Sequence, residues 1–280
     1  MKIICEKDLL VEAVSNVARA ACAKSPVPAL EGILLKAQDG QLQLTGYDLE
    51  LGIVTTIEAK TEQPGQLILS ARLLLDIIRR IPAQTVSILS DERDLATIRG
   101  GASEFTIPGL NAEEYPELPN FEQQSDLVLK QGVLKSMIDQ TLFAIATTDS
   151  KPVHTGSLFD VKDSCVTLVS VDGYRLALRR EPIVSDLTTR FIVPGKTLAE
   201  ISKLLKEEDE EAYLALSQKH IVFRIGGYYV VSRLLEGEFL DYNAAIPKVS
   251  KTTVKINTRS LTAAVGLPTH RSWSYFESAR

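Results

Sequence analysis

One spacing recurs along this chain, and it constrains the fold more than any other feature. Residues 42–54 (LQLTGYDLELGIV) and 166–178 (VTLVSVDGYRLAL) both run from alternating apolar residues into a polar corner and out again. The corner residues Asp48 and Asp172 lie 124 positions apart (172 minus 48), as do Leu44 and Leu168 (168 minus 44). Each stretch is typical of two strands joined by a tight turn. A shared spacing over such lengths predicts a duplicated domain.

The residues around the first copy predict two amphipathic helices among short strands. A helix from Asp8 should follow a strand at residues 3–5, and a second helix should follow the N-cap Ser70 and stop at Pro82. Apolar residues recur at helical spacing in both and are expected to face a core. These are Leu9, Leu10, Ala13, Val14 and Val17 in the first helix, and Leu73, Leu74, Ile77, Ile78 and Ile81 in the second.

The second copy repeats this order, and a third copy begins. Val133, Leu134, Met137 and Ile138 match the first helix at the offset of 124, while Leu198 and Ile201 match Leu74 and Ile77. Residues 254–265 copy 127–138 at an offset of 127, which predicts another strand at 254–256 and a short helix. We therefore expect domains at residues 1–123 and 124–250, with 251–280 the incomplete start of a third domain followed by an atypical tail.

Composition limits the class of protein. The formal net charge of −5 neither requires nor excludes nucleic acid. The three cysteines, Cys5, Cys22 and Cys165, have no metal-type spacing and are expected to be reduced and mostly buried. No apolar run approaches the roughly 18–20 residues that span a bilayer. These features predict a soluble, cytoplasmic protein.

The motifs resemble those of the bacterial sliding clamp family, the beta subunits of DNA polymerase III. The resemblance rests on TGYDLELGI at 45–53, SVDGYRLAL at 170–178, FIVPGKTLAEI at 191–201, LLEGEFLDYNAAIPK at 234–248 and KINTRSL at 255–261. It implies an α+β fold of tandem DNA-clamp domains, each with two helices packed on antiparallel sheet. It also implies a non-catalytic subunit without a cofactor. In the family, two chains of three domains close head to tail around duplex DNA and confer processivity on the replicative polymerase.

Sliding requires cations that touch phosphates without reading bases. The expected helices, and the segments that follow the first helix of each copy, carry candidates for this contact. They are Arg19, Lys24, Arg72, Arg79, Arg80, Lys135, Lys151, Lys196 and Lys203. The plainer alternative is that these residues only solvate helix faces. The resemblance favours Lys24 and Lys196 as DNA contacts, and the acidic run at 207–211 would keep DNA off other surfaces.

The resemblance also implies a groove for short linear peptides of the polymerase III alpha subunit, clamp-loader subunits and other replication and repair proteins. Carried over by position, its residues here are His154, Val171, Gly173, Tyr174, Arg175, Leu176 and Pro247. Tyr174 and Leu176 would supply apolar surface for the anchors of a peptide. The alternative is an ordinary hairpin corner. The family commonly has an aliphatic residue where this chain has His154, and its opposite wall comes from the third domain.

The sequence gives little support for an enzymatic function. His154, His220 and His270 share no ligand or triad spacing, and Gly100-Gly101 and Gly226-Gly227 are not phosphate loops. We expect no metal and no catalysis. The sharper alternative is a shortened clamp chain that cannot close a two-chain ring and is a partner-binding or non-functional fragment. Readthrough out of frame, a natural variant or a cloned fragment would each explain the tail.

Overall fold

The computed structural model describes residues 1–119, 125–148, 151–206, 209–247, 249 and 251–265, and it divides the chain into two compact units. The first unit, Met1–Phe239, contains both sequence repeats, and the second is Leu240–Arg280. Antiparallel sheets and a few short helices build the first unit, which confirms the expected α+β class.

The first repeat has nine strands and two helices. The strands are β1 (Lys2–Glu6), β2 (Gly32–Gln38), β3 (Gln41–Tyr47), β4 (Leu51–Glu58), β5 (Lys60–Gln63), β6 (Gly65–Ser70), β7 (Thr85–Ser90), β8 (Leu95–Gly100) and β9 (Ser103–Leu110). The helices are α1 (Lys7–Val17) and α2 (Ala71–Arg80), and a 3-10 turn, Ala18–Ala20, extends α1. Sequence analysis missed β5, whose KTEQ residues carry no apolar alternation.

The second repeat has eight described strands and two helices. The strands are β10 (Ser125–Lys130), β11 (Gly156–Lys162), β12 (Cys165–Val171), β13 (Leu176–Pro182), β14 (Thr189–Pro194), β15 (Glu211–Leu216), β16 (His220–Ile225) and β17 (Tyr228–Arg233). The helices are α3 (Gln131–Thr141) and α4 (Gly195–Leu204).

Strand registers confirm the duplication residue by residue. Leu35 pairs with Leu44 between β2 and β3, and Phe159 pairs with Leu168 between β11 and β12. Both positions are shifted by 124 (159 minus 35 and 168 minus 44). All four side chains are fully buried. Because a one-residue slip would turn a whole strand inside out, the shared register places the same apolar positions in both cores.

The helices form where local signals predict them, but their buried faces are narrower than predicted. The Ser70 hydroxyl accepts a hydrogen bond from the Leu73 amide at 3.5 Å, which confirms the N-cap of α2. Leu9 and Leu73, expected on the buried faces, are instead 40% and 46% exposed. Leu9 and Leu73 therefore lie outside the buried face of their helices, whereas the residues that follow them, Leu10 and Leu74, are buried in the core.

One continuous sheet joins the two repeats. Strand β17 of the second repeat pairs antiparallel with β4 of the first, with Val230 opposite Ile53 and Tyr228 opposite Thr55. Val230 and Ile53 are fully buried there. The resulting 13-stranded sheet runs β10-β15-β16-β17-β4-β3-β2-β6-β9-β8-β7-β1-β5, and a four-stranded sheet runs β13-β12-β11-β14. We call the β4·β17 junction the seam.

The second unit contains a short helix, α5 (Tyr242–Ala245), and α6 (Thr258–Val265). The helix α6 agrees with the expected start of a third repeat, but the expected strand at 254–256 does not form. Val254 and Ile256 are 76% and 56% exposed. A strand needs a neighbour for its backbone groups, and none of the described strands pairs with this segment.

Candidate functional site

Polar contacts connect the helices α1, α2, α3 and α4 of the first unit in one row. Arg79 of α2 donates to the hydroxyl of Ser15 on α1 at 3.1 Å. Arg19, in the turn after α1, lies 3.8 Å from Glu200 of α4. Ser202 of α4 in turn donates to Asp139 of α3 at 2.8 Å. The order is therefore α2, α1, α4, α3, and the row crosses the seam between the repeats.

All nine cations expected to contact DNA lie on this row or in the segments that follow α1 and α3, but they are not equally available. Lys24, Arg72, Arg80 and Lys151 are exposed, whereas Lys135 is half-buried. The carboxylate of Glu200 pairs with Lys203 at 2.8 Å as well as with Arg19. Carboxylate partners compete with phosphate, so Arg19 and Lys203 are weaker candidates than Lys24, Arg72, Arg80 and Lys151.

Arg19 belongs to the seam more than to the exposed face. Among the described residues, its Nη1 and the Oε2 of Glu200 are buried without a hydrogen-bond partner. The 3.8 Å separation of Arg19 Nε from Glu200 Oε2 is too long for a hydrogen bond. The pair therefore contributes charge attraction across the seam and little directional bonding.

Lys196, at the start of α4, also reaches across the seam and pairs with Asp48. Burial by itself would lower the pKa of Lys196, but the hydrogen bond to Asp48 and the charge of that carboxylate outweigh it. The pKa is raised as a result. The ammonium therefore stays protonated, and its side chain remains 59% exposed. It can present positive charge while it ties the repeats together.

The β12–β13 hairpin carries most of the residues expected in the partner groove. The Asp172 carboxylate accepts hydrogen bonds from the amides of Tyr174 and Arg175 at 3.0 and 3.1 Å, which shapes the turn. These bonds, that of Tyr174 first, hold the pKa of Asp172 below its usual value. Gly173 has a φ of +92°, which a residue with a Cβ rarely adopts. A Cβ there would meet nothing within 4 Å, so the backbone conformation of the turn, and not packing within the chain, favours glycine at this position.

The turn exposes the side chain of Tyr174 and holds the side chain of Arg175 in place. Tyr174 is fully exposed. Arg175 pairs with Asp172 at 2.9 Å and lies 5.7 Å above the centre of the Phe143 ring. Phe143, which sequence reasoning missed, is itself 60% exposed. The repeat offset could have drawn attention to Phe143, because it occupies the position of Arg19 in the first repeat (143 minus 19 is 124).

Val171 and Leu176 face each other across the hairpin, the former buried and the latter half-buried. The hydroxyls of Ser157 and Ser170 lie 2.7 Å apart, so the start of β11 runs beside the end of β12. His154 lies two residues before β11 and is buried edge-on against Phe239, with ring centres 5.4 Å apart. Burial, and secondarily the charge of Lys151, lowers its pKa.

Three sets of expected residues have a different standing. Pro247 is exposed and belongs to the second unit, so its part in the groove stays a prediction. Glu207 and Glu208, His270 and the tail after Val265 lie outside the described residues.

Within the described ranges, no group of three or more histidine, cysteine or acidic side chains could hold a metal ion. No described helix is long and apolar enough to cross a membrane.

Comparison with known proteins places this architecture in a class. The solved structure of the DNA polymerase sliding clamp from Bacillus subtilis matches 95% of this chain and 72% of its own, with a TM-score of 0.91 at 33% identity. A DnaN sliding clamp (DNA polymerase III subunit beta) from Pseudomonas aeruginosa, bound to griselimycin, matches 90% of this chain and 69% of its own. Its TM-score is 0.85 at 29% identity. The fold is thus that of tandem DNA-clamp domains.

Sequence comparisons name the family. The model of the DNA polymerase III beta subunit N-terminal domain matches residues 1–119, and that of the central domain matches residues 128–241. The beta sliding clamp of Bacillus subtilis is 34% identical over 275 residues, covering 95% of this chain and 73% of the relative. That of Streptomyces coelicolor is 37% identical over 273 residues, covering 95% and 72%. The chain belongs to the DNA polymerase III beta subunit family, the beta sliding clamps.

Proposed function

We propose that this chain is a non-catalytic clamp subunit that holds the replicative polymerase on duplex DNA and binds partner peptides at the β12–β13 hairpin. Family membership across both repeats is the observation that carries the proposal. The row of helices contributes sequence-independent phosphate contacts, and the hairpin contributes one wall of the groove. The polymerase III alpha subunit and clamp-loader subunits are the partners we propose.

The exposed cations of the helix row support the DNA contact. Lys24, in the segment that follows α1, and Arg80, at the end of α2, are both exposed and can approach a phosphate from solvent. A protein that neutralises phosphates releases counterions, so its affinity falls with salt by a slope of about 0.9 per contact. Contacts of this kind carry no base information, and the chain should bind A·T-rich and G·C-rich duplexes equally well.

Fluorescence anisotropy on a labelled duplex over a range of salt concentrations tests this role. The double variant Lys24→Ala/Arg80→Ala should lower the salt slope by about 1.8. The matched control Lys36→Ala/Lys219→Ala removes two exposed cations from strand β2 and from the turn before β16. An equal loss in both variants would contradict a DNA surface on the helix row.

The exposed Tyr174 and the half-buried Leu176 support peptide binding, because aromatic and aliphatic anchors dominate such contacts. Calorimetry with a synthetic peptide from the polymerase III alpha subunit of the same organism checks it. Tyr174→Ala should weaken binding, whereas Tyr213→Ala, at an exposed tyrosine on β15, should not. Unchanged affinity in Tyr174→Ala would remove the hairpin from the groove.

We also propose that the 280-residue chain does not close a two-copy ring of the kind the family forms. Every described residue from 251 to 265 is exposed, so this part of the third repeat supplies no packed core for such an interface. Light scattering with and without circular DNA measures the outcome. A stable dimer that is retained on circles and released when they are cut would refute the proposal.

A further inference from the structure

Glu200 is an acidic residue in the middle of the helix row, where α4 meets α1 at the seam. Its two carboxylate oxygens have different partners. Oε1 pairs with the ammonium of Lys203 at 2.8 Å, three residues further along α4. Oε2 lies 3.8 Å from Nε of Arg19, which belongs to the first repeat. One carboxylate therefore pairs with two of the cations expected to contact DNA.

The two cations differ in how easily they can leave this carboxylate. The side chain of Lys203 is 52% exposed, so a phosphate can reach its ammonium from solvent. Arg19 is more enclosed, and among the described residues its Nη1 is buried without a hydrogen-bond partner. The side chain of Glu200 is only 16% exposed. The contact with Arg19 is therefore held within the seam, whereas the contact with Lys203 can open.

We propose that Glu200 is a positioning residue that limits how strongly the helix row binds DNA, because it holds Lys203 back from phosphate. This inference rests on the DNA contact proposed above for the row. A phosphate must displace the carboxylate before it can pair with Lys203, so this lysine adds less to DNA affinity than an unpaired lysine would. When a phosphate takes Lys203, Glu200 keeps Arg19 as its partner across the seam.

The first repeat provides an internal comparison. Asp76 and Arg79 of α2 hold the positions of Glu200 and Lys203 (200 minus 76 and 203 minus 79 are both 124). Arg79 donates to the neutral hydroxyl of Ser15 at 3.1 Å. Asp76 is exposed, and among the described residues it has no ion-pair partner. The same spacing of acid and cation on a helix therefore gives a closed ion pair at the seam and not on α2.

The surroundings of Glu200 explain why its pair with Lys203 competes with phosphate. Fully exposed ion pairs at this spacing are weak, because water and salt screen them. Glu200 is screened less, since the seam covers most of its side chain and Arg19 attracts it from the other side. Charges with less water between them interact more strongly. The attraction of Glu200 for Lys203 therefore exceeds that of a solvated carboxylate.

Fluorescence anisotropy of the full chain on a labelled duplex tests the inference. Glu200→Gln keeps the shape of the side chain and removes its charge, which releases Lys203. The variant should bind DNA more tightly at low salt, with a salt slope larger by about 0.9. Between about 50 and 200 mM salt, its affinity should fall about 3.5-fold more than that of the parent chain. Adding Lys203→Ala to Glu200→Gln should remove this gain.

The matched control is Asp76→Asn, which removes the same charge at the corresponding position of α2 without freeing a cation. Its salt slope should equal that of the parent chain. Equal gains in Glu200→Gln and Asp76→Asn would reveal a general effect of net charge and overturn the inference. A variant that only loosened the seam would bind DNA more weakly, so damage to the fold does not imitate the expected gain.

Lysine acetylation followed by mass spectrometry tests the same point in the parent chain, without a substitution. A bound duplex should protect Lys24 strongly and Lys203 weakly, each compared with the chain free of DNA. Equal protection of the two lysines would overturn the inference. A parent chain that binds no duplex would contradict the proposed clamp role together with this inference. A salt slope that depends on Lys24 and Arg80 but not on Glu200 would contradict this inference alone.

Discussion

Gly173 offers a sharp test of how the turn sequence controls the candidate peptide surface. Its φ of +92° lies in the region that L-residues avoid, and a Cβ added there would meet nothing within 4 Å. Gly173→Ala therefore introduces no clash. The change in stability must come from backbone preference alone.

The magnitude follows from two opposing effects. Holding a residue with a Cβ at positive φ costs about 1–2 kcal/mol. Alanine also restricts the unfolded chain, which offsets about 0.4–1 kcal/mol. Gly173→Ala should thus reduce the free energy of unfolding by about 1 kcal/mol, a fall in Tm of about 2–4 °C for a chain of this size.

Urea unfolding followed by circular dichroism measures the effect, and the slope m should not change. The first repeat supplies a matched comparison, because Leu49 holds the same turn position at a φ of +75°. There Leu49→Gly should be more stable than Leu49→Ala by about 1 kcal/mol, the reverse of the usual preference for alanine. If Gly173→Ala unfolds at the same or higher urea concentration than the parent, the reasoning is wrong.

Three further predictions concern buried groups. Burial lowers the pKa of His154 from 6.5. The contribution of the neutral imidazole to stability is therefore present above pH 6.5 and is lost as pH falls toward the folded-state pKa. In urea unfolding, His154→Leu should lose less stability than the parent chain between pH 7.5 and 5.5. Burial raises the pKa of Cys5 to about 12 and also raises the pKa of the half-buried Cys22. Iodoacetamide at pH 8 should therefore label Cys165 in the native protein, label Cys22 more slowly and leave Cys5 unlabelled, as read by mass spectrometry. Val230→Ala removes two methyl groups from the fully buried seam and should lower the free energy of unfolding by about 2 kcal/mol; a loss below about 0.5 kcal/mol would mean that the seam is loosely packed.

Some features of the site can be predicted from neighbouring residues in the sequence, and others depend on contacts between distant parts of the chain. The sequence marks the β12–β13 turn because Asp172 and Gly173 impose it through short-range bonds and backbone preference. The carboxylate partners of Arg19 and Lys196 have no such signal. Glu200 and Asp48 lie far from them in the chain and meet them only across the seam. The DNA and peptide roles of these residues stay predictions.

By itself, the sequence determined the helices, most strands, the tight turns and the repeat of 124, because periodicity, caps and turn residues act over a few positions. Tertiary structure decided which strands pair across repeats. It joined β17 to β4 at the seam. Residues 254–256 also form no strand, although their sequence resembles that of β10. Strand pairing is a long-range choice of hydrogen-bond partner, and no local pattern specifies the partner.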